Sequence, residues 1–130
     1  MSEPIVLVDT SRIRAGQRAA LETAMKDLVA FVEANEPRPL AYNMYVSEDG
    51  TRMTVVQLHP DSESVEEHMR LAGPIFARFA DLLDMTSMDV YGAASAALLE
   101  RLRTKARMLG LTGGLGVHRL HAGFVRPGAR

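Results

Sequence analysis

"LAYNMYVSEDGTRMTVVQLH", Leu40 to His59, is the stretch that decides the fold. Two runs rich in β-branched and aromatic residues flank Ser-Glu-Asp-Gly, and Asp-Gly between such runs marks a hairpin. Strand side chains alternate between faces, so the turn fixes which residues lie together. A loop of four residues (Ser47 to Gly50) and one of two (Asp49 and Gly50) give the same result. One face carries Leu40, Tyr42, Met44, Val46, Met53, Val55, Gln57 and His59. The other carries Ala41, Asn43, Tyr45, Arg52, Thr54, Val56 and Leu58. The first is bulkier and is expected to lie against helices. The second keeps Tyr45, Val56 and Leu58, and a sheet apolar on both faces needs a second cover.

On the N-terminal side, "IVLV" (Ile5 to Val8) reads as a short buried strand. "AGQRAALETAMKDLVAFVEAN" follows, with Leu21, Met25, Leu28 and Val32 on one helical stripe. "NEPRP" ends that helix, because proline cannot continue it. On the C-terminal side, Ser64 and Glu67 fit a capping box, with Asp61 or Ser62 as alternative caps. Val65, His68, Met69 and Ala72 share one face of the helix that opens there. Gly73-Pro74 is expected to interrupt it, with Pro74 starting a second piece whose Ile75, Phe76, Phe79, Leu82 and Leu83 point inward. "MTSMDVYG" reads as a strand with Met88 and Val90 on one side. "SAALLERLRTKARMLG" reads as a helix with Leu98, Leu102 and Leu109 on a stripe and Gly110 as its stop. "LTGGLG" reads as a flexible loop, and "VHRLHAGFV" as a final strand.

The order is β-α-β-β-α-β plus a C-terminal helical extension, an α+β ferredoxin-like plan with an antiparallel sheet. One domain is expected over 1–130, with a core at 1–93 and an extension at 94–130. The chain has 130 residues, 47% hydrophobic and 24% charged, which suits one packed core. Its 15 basic and 16 acidic residues leave a net charge of -1. That is not the basic stripe of a protein that binds nucleic acid. The absence of cysteine excludes disulfides, thiolate zinc sites and cysteine nucleophiles. The start has an acidic residue and an apolar run of only four, unlike a secretory signal. No segment approaches the ~20 apolar residues of a membrane span. A cytoplasmic protein without membrane partners is expected.

Several of these segments together carry a resemblance. They are "IVLVDTSRI", the "SEDGT" hairpin, "TVVQLH", "SVEEHM", the phenylalanines of "IFARFADLL" and "MDVYG". Through them, the chain resembles the antibiotic biosynthesis monooxygenase-like group of the dimeric α/β-barrel superfamily. The most specific element is Ser64-x-x-x-His68 followed by Phe76 and Phe79. The resemblance implies a homodimer joined through the sheets and a ligand cavity between sheet and helices, with His68 lining or bordering it. Such families include cofactor-independent oxygenases of phenols or quinols, haem-degrading enzymes, isomerases and proteins with no known reaction. Haem-degrading relatives use Asn, Trp and His. This chain has no Trp and offers Asp9 where the Asn would stand, which disfavours that chemistry and lowers the oxygenase reading.

His68 is the expected catalytic base, able to take a phenolic proton near neutral pH. Its alternative is a core histidine bonded to backbone or to Tyr42. Tyr42, His59, Gln57, Phe76 and Phe79 are the expected substrate-binding residues. For His59, a strand-end position exposed to water is the favoured alternative. His118 and His121 stand three apart, on opposite faces of a strand, with no carboxylate nearby, so no metal site is expected. The eight methionines suit an adaptable pocket wall or plain core.

The function read from all this is a cofactor-independent monooxygenase, or related enzyme, acting on an aromatic, phenolic or quinol molecule. It needs no cofactor. The alternative is a non-catalytic small-molecule-binding or stress-related dimer using the same cavity. A third reading docks the C-terminal helix on a partner chain.

Overall fold

A computed structural model describes residues 3–126. The outer ends of the one-domain reading, 1–2 and 127–130, lie outside the described residues. Strands β1 (Ile5–Ile13), β2 (Ala41–Val46), β3 (Arg52–His59), β4 (Leu83–Tyr91) and β5 (Gly116–His118) form one sheet. Helices α1 (Arg18–Asn35), α2 (Ser62–Phe76) and α3 (Ala96–Met108) complete the chain. The sheet order is β2-β3-β1-β4-β5. The first four strands pair antiparallel, in the ferredoxin-like β-α-β-β-α-β arrangement of an α+β fold. β5 pairs parallel to β4, so the sheet is mixed rather than purely antiparallel.

The hairpin has the expected register. Tyr42 stands opposite Gln57, Met44 opposite Val55 and Val46 opposite Met53. Met53, Val55, Gln57 and His59 are buried. Leu40 departs from its expected face: it precedes β2 and is 62% exposed. β1 runs five residues past "IVLV", because the alternation of Ile5 and Leu7 continues through Asp9, Ser11 and Ile13. On β4 the parity breaks. Met85 and Met88 are both buried, and the pairing with β1 slips between Thr10 and Ser11. A bulge at Thr86 lets two odd-numbered and two even-numbered residues of one strand face the core, and Thr86 Oγ1 donates to the Thr10 carbonyl at 3.0 Å.

α1 buries Leu21, Ala24, Leu28 and Val32, while Met25 is only partly buried. It ends at Glu36, which is extended (φ -124°) because Pro37 follows and disfavours the helical region. Asp61 caps α2, accepting from the Ser64 N–H at 2.9 Å, so Ser64 is not the cap. Arg38 holds the same Asp61 carboxylate at 2.7 and 2.8 Å.

The expected break at Gly73-Pro74 is absent. α2 runs through Pro74 to Phe76 and then tightens into a 3-10 turn, Ala77–Phe79. Pro74 and Arg70 are both exposed, so the carbonyl that a proline leaves unpaired four residues back lies on the solvent side. Phe76 and Phe79 point inward as expected, but Leu83 belongs to β4.

Ser95 caps α3, accepting from the Leu98 N–H at 3.0 Å, and its own N–H donates to Ser62 Oγ at the start of α2. The stripe Leu98, Leu102 and Leu109 is buried, with Lys105 between. Gly110 (φ +93°) stops the helix, with the Leu111 N–H returning to the Ala106 carbonyl. The final strand is shorter than expected, Gly116–His118 only. The three helical stripes and one sheet face share a single core. Val6, Val8, Val56 and Leu58 on the opposite face are half-buried, and Tyr45 is exposed. Among the described residues no helix is long and apolar enough to cross a membrane.

Candidate active site

Strands β1 and β3, helices α2 and α3 and the residue that ends α1 send polar side chains into the core. The extended backbone at Glu36 lets its carboxylate meet α2: Glu36 Oε1 lies 2.7 Å from His68 Nδ1, with neither side chain more than 1% exposed. Burial pushes the His68 pKa down, and the Glu36 hydrogen bond only partly opposes this. His68 is therefore a neutral imidazole at pH 7. Its Nδ1–H donates to Glu36, which leaves the lone pair on Nε2. That Nε2 is buried and has no partner among the described residues.

A second chain of contacts lies beside it. His59 Nε2–H donates to Gln57 Oε1 at 2.9 Å, and His59 Nδ1 accepts from the Ser64 hydroxyl at 2.8 Å. Tyr42 and Phe76 set their rings edge-on to His68, with centroids 5.0 and 5.4 Å away. His59 is fully buried, which overturns the expectation of a water-exposed strand end. β3 runs to its last residue under α2, so the strand terminus is covered.

In front of the Tyr42 and Phe76 rings lies a cavity, also lined by Phe79 and by Met44, Met53 and Met85. Its free volume is about 20 Å³, enough for one water molecule. Of the expected site residues, Tyr42, Phe76 and Phe79 line it. His68, His59 and Gln57 stand behind its wall.

The polar lining comes from Asp9, which the resemblance set in the place of an Asn, and from Ser11 and Lys105, which the sequence reading passed over. Burial raises the Asp9 pKa, and the charge of Lys105 partly offsets it. Burial lowers the Lys105 pKa, and Asp9 partly offsets that. The Lys105 Nζ sits 3.9 Å above the centre of the Phe76 ring, a cation–π contact. Burial, with Asp9 and Glu36 adding negative charge, drives the Tyr42 pKa upward, so its phenol stays protonated.

The C-terminal histidines are apart from this site. His118 Nε2 is 2.9 Å from Asp89 Oδ1, which corrects the expectation that no carboxylate is near. His118 also stacks on Tyr91 at 4.4 Å. His121 lies beyond β5 and is exposed. Among the described residues no three His, Cys, Asp or Glu side chains gather as a metal site would require.

The buried histidines make stability depend on acid. Burial, with a further push from a protonated His68, lowers the His59 pKa from 6.5 to about 4. Between those values the unfolded chain binds the proton and the folded chain does not. The contribution is complete above about pH 6.5 and is lost as pH falls towards about 4. It is of the order of 3 kcal/mol. His68 acts in the same direction, and Asp9, with its raised pKa, in the opposite one. Urea midpoints taken across this range should fall with acid in the wild type and fall less in His59→Gln. Equal slopes in the two proteins would remove His59 as the cause.

No family model and no curated protein matches the chain. Solved structures do. MupZ from Pseudomonas fluorescens superposes with a TM-score of 0.73 over 95% of this chain and 95% of its own, at 15% identity. That coverage takes in the C-terminal helix. A candidate antibiotic biosynthesis monooxygenase from Caulobacter crescentus gives 0.64 over 72% of this chain and 92% of its own, at 21% identity. SnoaB, a cofactor-independent oxygenase from Streptomyces nogalater, gives 0.61 over 73% and 97%, at 14% identity. At these identities the likeness is one of fold: the ferredoxin-like fold of the antibiotic biosynthesis monooxygenase-like structures.

Proposed function

We propose that this protein is a cofactor-independent oxygenase of an aromatic, phenolic or quinol substrate, held in the cavity between sheet and helices. One observation carries the reading. Buried titratable groups with shifted pKa values, His68, His59, Asp9 and Lys105, converge on and behind a cavity walled by aromatic rings. The fold shared with SnoaB, itself a cofactor-independent oxygenase, agrees with it.

His68 is the base of this reading. Glu36 fixes its tautomer and leaves Nε2 free to take a proton. Tyr42, Phe76 and Phe79 stack the substrate ring, and Gln57 and His59 brace the wall behind them. The ionised ring is electron-rich enough to react with dioxygen directly, so neither metal nor flavin is needed. One oxygen atom enters the substrate, the other leaves as water, and the substrate supplies the electrons. A ring cannot enter 20 Å³, so the methionine side chains lining the cavity must move aside. The half-buried outer sheet face, with Val6, Val8, Val56 and Leu58, is covered in this reading by a second copy of the chain.

Dioxygen uptake with a panel of hydroquinones and polyphenols tests the activity, with no cofactor added and the mass checked by light scattering. Uptake above autoxidation by a dimer, reduced at least tenfold in a folded His68→Gln, is the expected result. The small cavity favours the second reading, a non-catalytic binding protein. Ring-compound binding without uptake across the panel would select it, and a stable monomer would remove the second copy.

A further inference from the structure

The cavity has a polar end that none of the roles above uses. Asp9 comes from the central strand β1, Ser11 from the next inward position of the same strand, and Lys105 from α3. Asp9 is 4% exposed and Lys105 7%. A lysine this deep normally meets a carboxylate. Here, among the described residues, no carboxylate stands within 4.0 Å of Nζ, whose close contact is the face of Phe76. Asp9 accepts no side-chain hydrogen bond among the described residues, and the Ser11 hydroxyl is buried without a partner. Three polar groups, one of them a buried hydroxyl without a partner, thus face one space the size of a single oxygen-bearing group.

We infer that Asp9, Ser11 and Lys105 form an ionising seat for the acidic hydroxyl of the ligand. Its phenolic or enolic oxygen occupies the water-sized space, and its ring displaces the methionines. The inference rests on the reading of this cavity as a substrate site. The step is a proton transfer: the O–H bond of the ligand breaks, an O–H bond forms on the Asp9 carboxylate, and the phenolate left behind pairs with the Lys105 ammonium. Ser11 donates a hydrogen bond to the same oxygen.

Charge balance favours this arrangement. With Asp9 ionised and Lys105 protonated, as the step requires, the site holds one carboxylate and one ammonium before transfer, and one phenolate and one ammonium afterwards. Net charge in the dry cavity is unchanged, so no new charge is desolvated. The upward drive on the Asp9 pKa brings its proton affinity closer to that of a phenol. The other titratable groups facing this end are Tyr42, on the wall, and Glu36 and His68 behind it. Tyr42 is itself a phenol and remains protonated, because burial, with the negative charges of Asp9 and Glu36 adding to it, raises its pKa and no cation offsets this. Lys105 is what a ligand phenol has and Tyr42 lacks. Asp9, inside the cavity, is then the acceptor of the first proton, and the base role given to His68, behind the ring wall, falls on a second ionisable proton of the substrate.

The probes are 4-nitrophenol and 4-nitrocatechol, at a pH where the free dyes are un-ionised and colourless. Wild type should bind dye with the absorption of the phenolate. Lys105→Met should bind it roughly tenfold to a hundredfold more weakly, the worth of one charge-assisted hydrogen bond. Asp9→Asn should bind it as the neutral phenol, without the phenolate band. His68→Gln should keep the band. The double variant Asp9→Asn/Lys105→Met removes both buried charges, so neither is left unpaired, and should show no band.

Folding of each variant is checked by circular dichroism. A wild type that gives no phenolate band overturns the inference, as does a band unchanged in both single variants or lost only in His68→Gln. Oxygen uptake on the same samples separates the two claims. A band without uptake removes the oxygenase and keeps the seat; uptake without a band does the reverse.

Discussion

His68→Ala should lose about 3–5 kcal/mol of folding stability, the usual consequence of breaking a buried pair from one side. The loss has two sources. Glu36, 2.7 Å from His68 Nδ1 and almost wholly buried, keeps a carboxylate with no donor. The rings of Tyr42 and Phe76 lose the edge contacts they make at 5.0 and 5.4 Å, each worth about 0.5–1.5 kcal/mol beyond area burial. Removing the charge with its partner should be far milder, so His68→Leu/Glu36→Leu should recover most of the deficit. Urea denaturation of the two singles and the double measures the coupling. A His68→Ala protein within about 1 kcal/mol of wild type would mean that the buried contact between Glu36 and His68 contributes little to the fold. The same result governs how activity is tested. Alanine confounds loss of the base with loss of the fold, whereas His68→Gln keeps an N–H for Glu36 and removes only the basic nitrogen.

Phe76→Ala is expected to be about as damaging, at roughly 3–5 kcal/mol. Phe76 is 3% exposed and touches three parts of the site at once. Its face carries the Lys105 ammonium, its edge meets His68, and its flank walls the cavity. Phe76→Leu keeps most of the apolar volume and should cost less than about 1.5 kcal/mol. It still removes the π face under Lys105. Chemical denaturation separates the two variants. Equal losses would mean that the cation–π contact, and not the filled volume, sets the cost.

The fold was legible where period and turn chemistry agreed. Asp49-Gly50 and the alternation around it fixed the hairpin register and put Tyr42, Met44, Gln57 and His59 on the inner face. The helix stripes came from spacing alone. What escaped depended on tertiary context. Thr86 is an extra residue in β4, and nothing local distinguishes a bulge from a strand whose parity starts elsewhere. Pro74 stays inside α2 because its turn faces solvent, which the order Gly-Pro does not reveal.

Half of the candidate site was legible, from histidine chemistry and aromatic spacing. The other half was read only in part: Asp9 was noticed through the resemblance alone, and Ser11 and Lys105 went unread. Asp9 and Ser11 continue the parity of Ile5 and Leu7, and Lys105 fills the gap between Leu102 and Leu109 on a buried stripe. A charged residue in such a position is conspicuous only once the element is read to its full length. Glu36 gave no sign of its partner, since residues 32 apart meet only in the folded chain.

The sheet order has a consequence for how the chain can fold as it is synthesised. β1 emerges before every strand it pairs with, yet it lies in the middle of the sheet: β3 follows some forty residues later and β4 some seventy. α3, which carries Lys105, follows later still. Until then Asp9 is an ordinary solvated carboxylate on a strand with no neighbours. No early portion of this chain can close a core by itself, so the burial of its charges is among the last events of folding. Slow closure of distant pairings is the expected kinetics, and helix α1, whose contacts are local, is the part able to form while it waits.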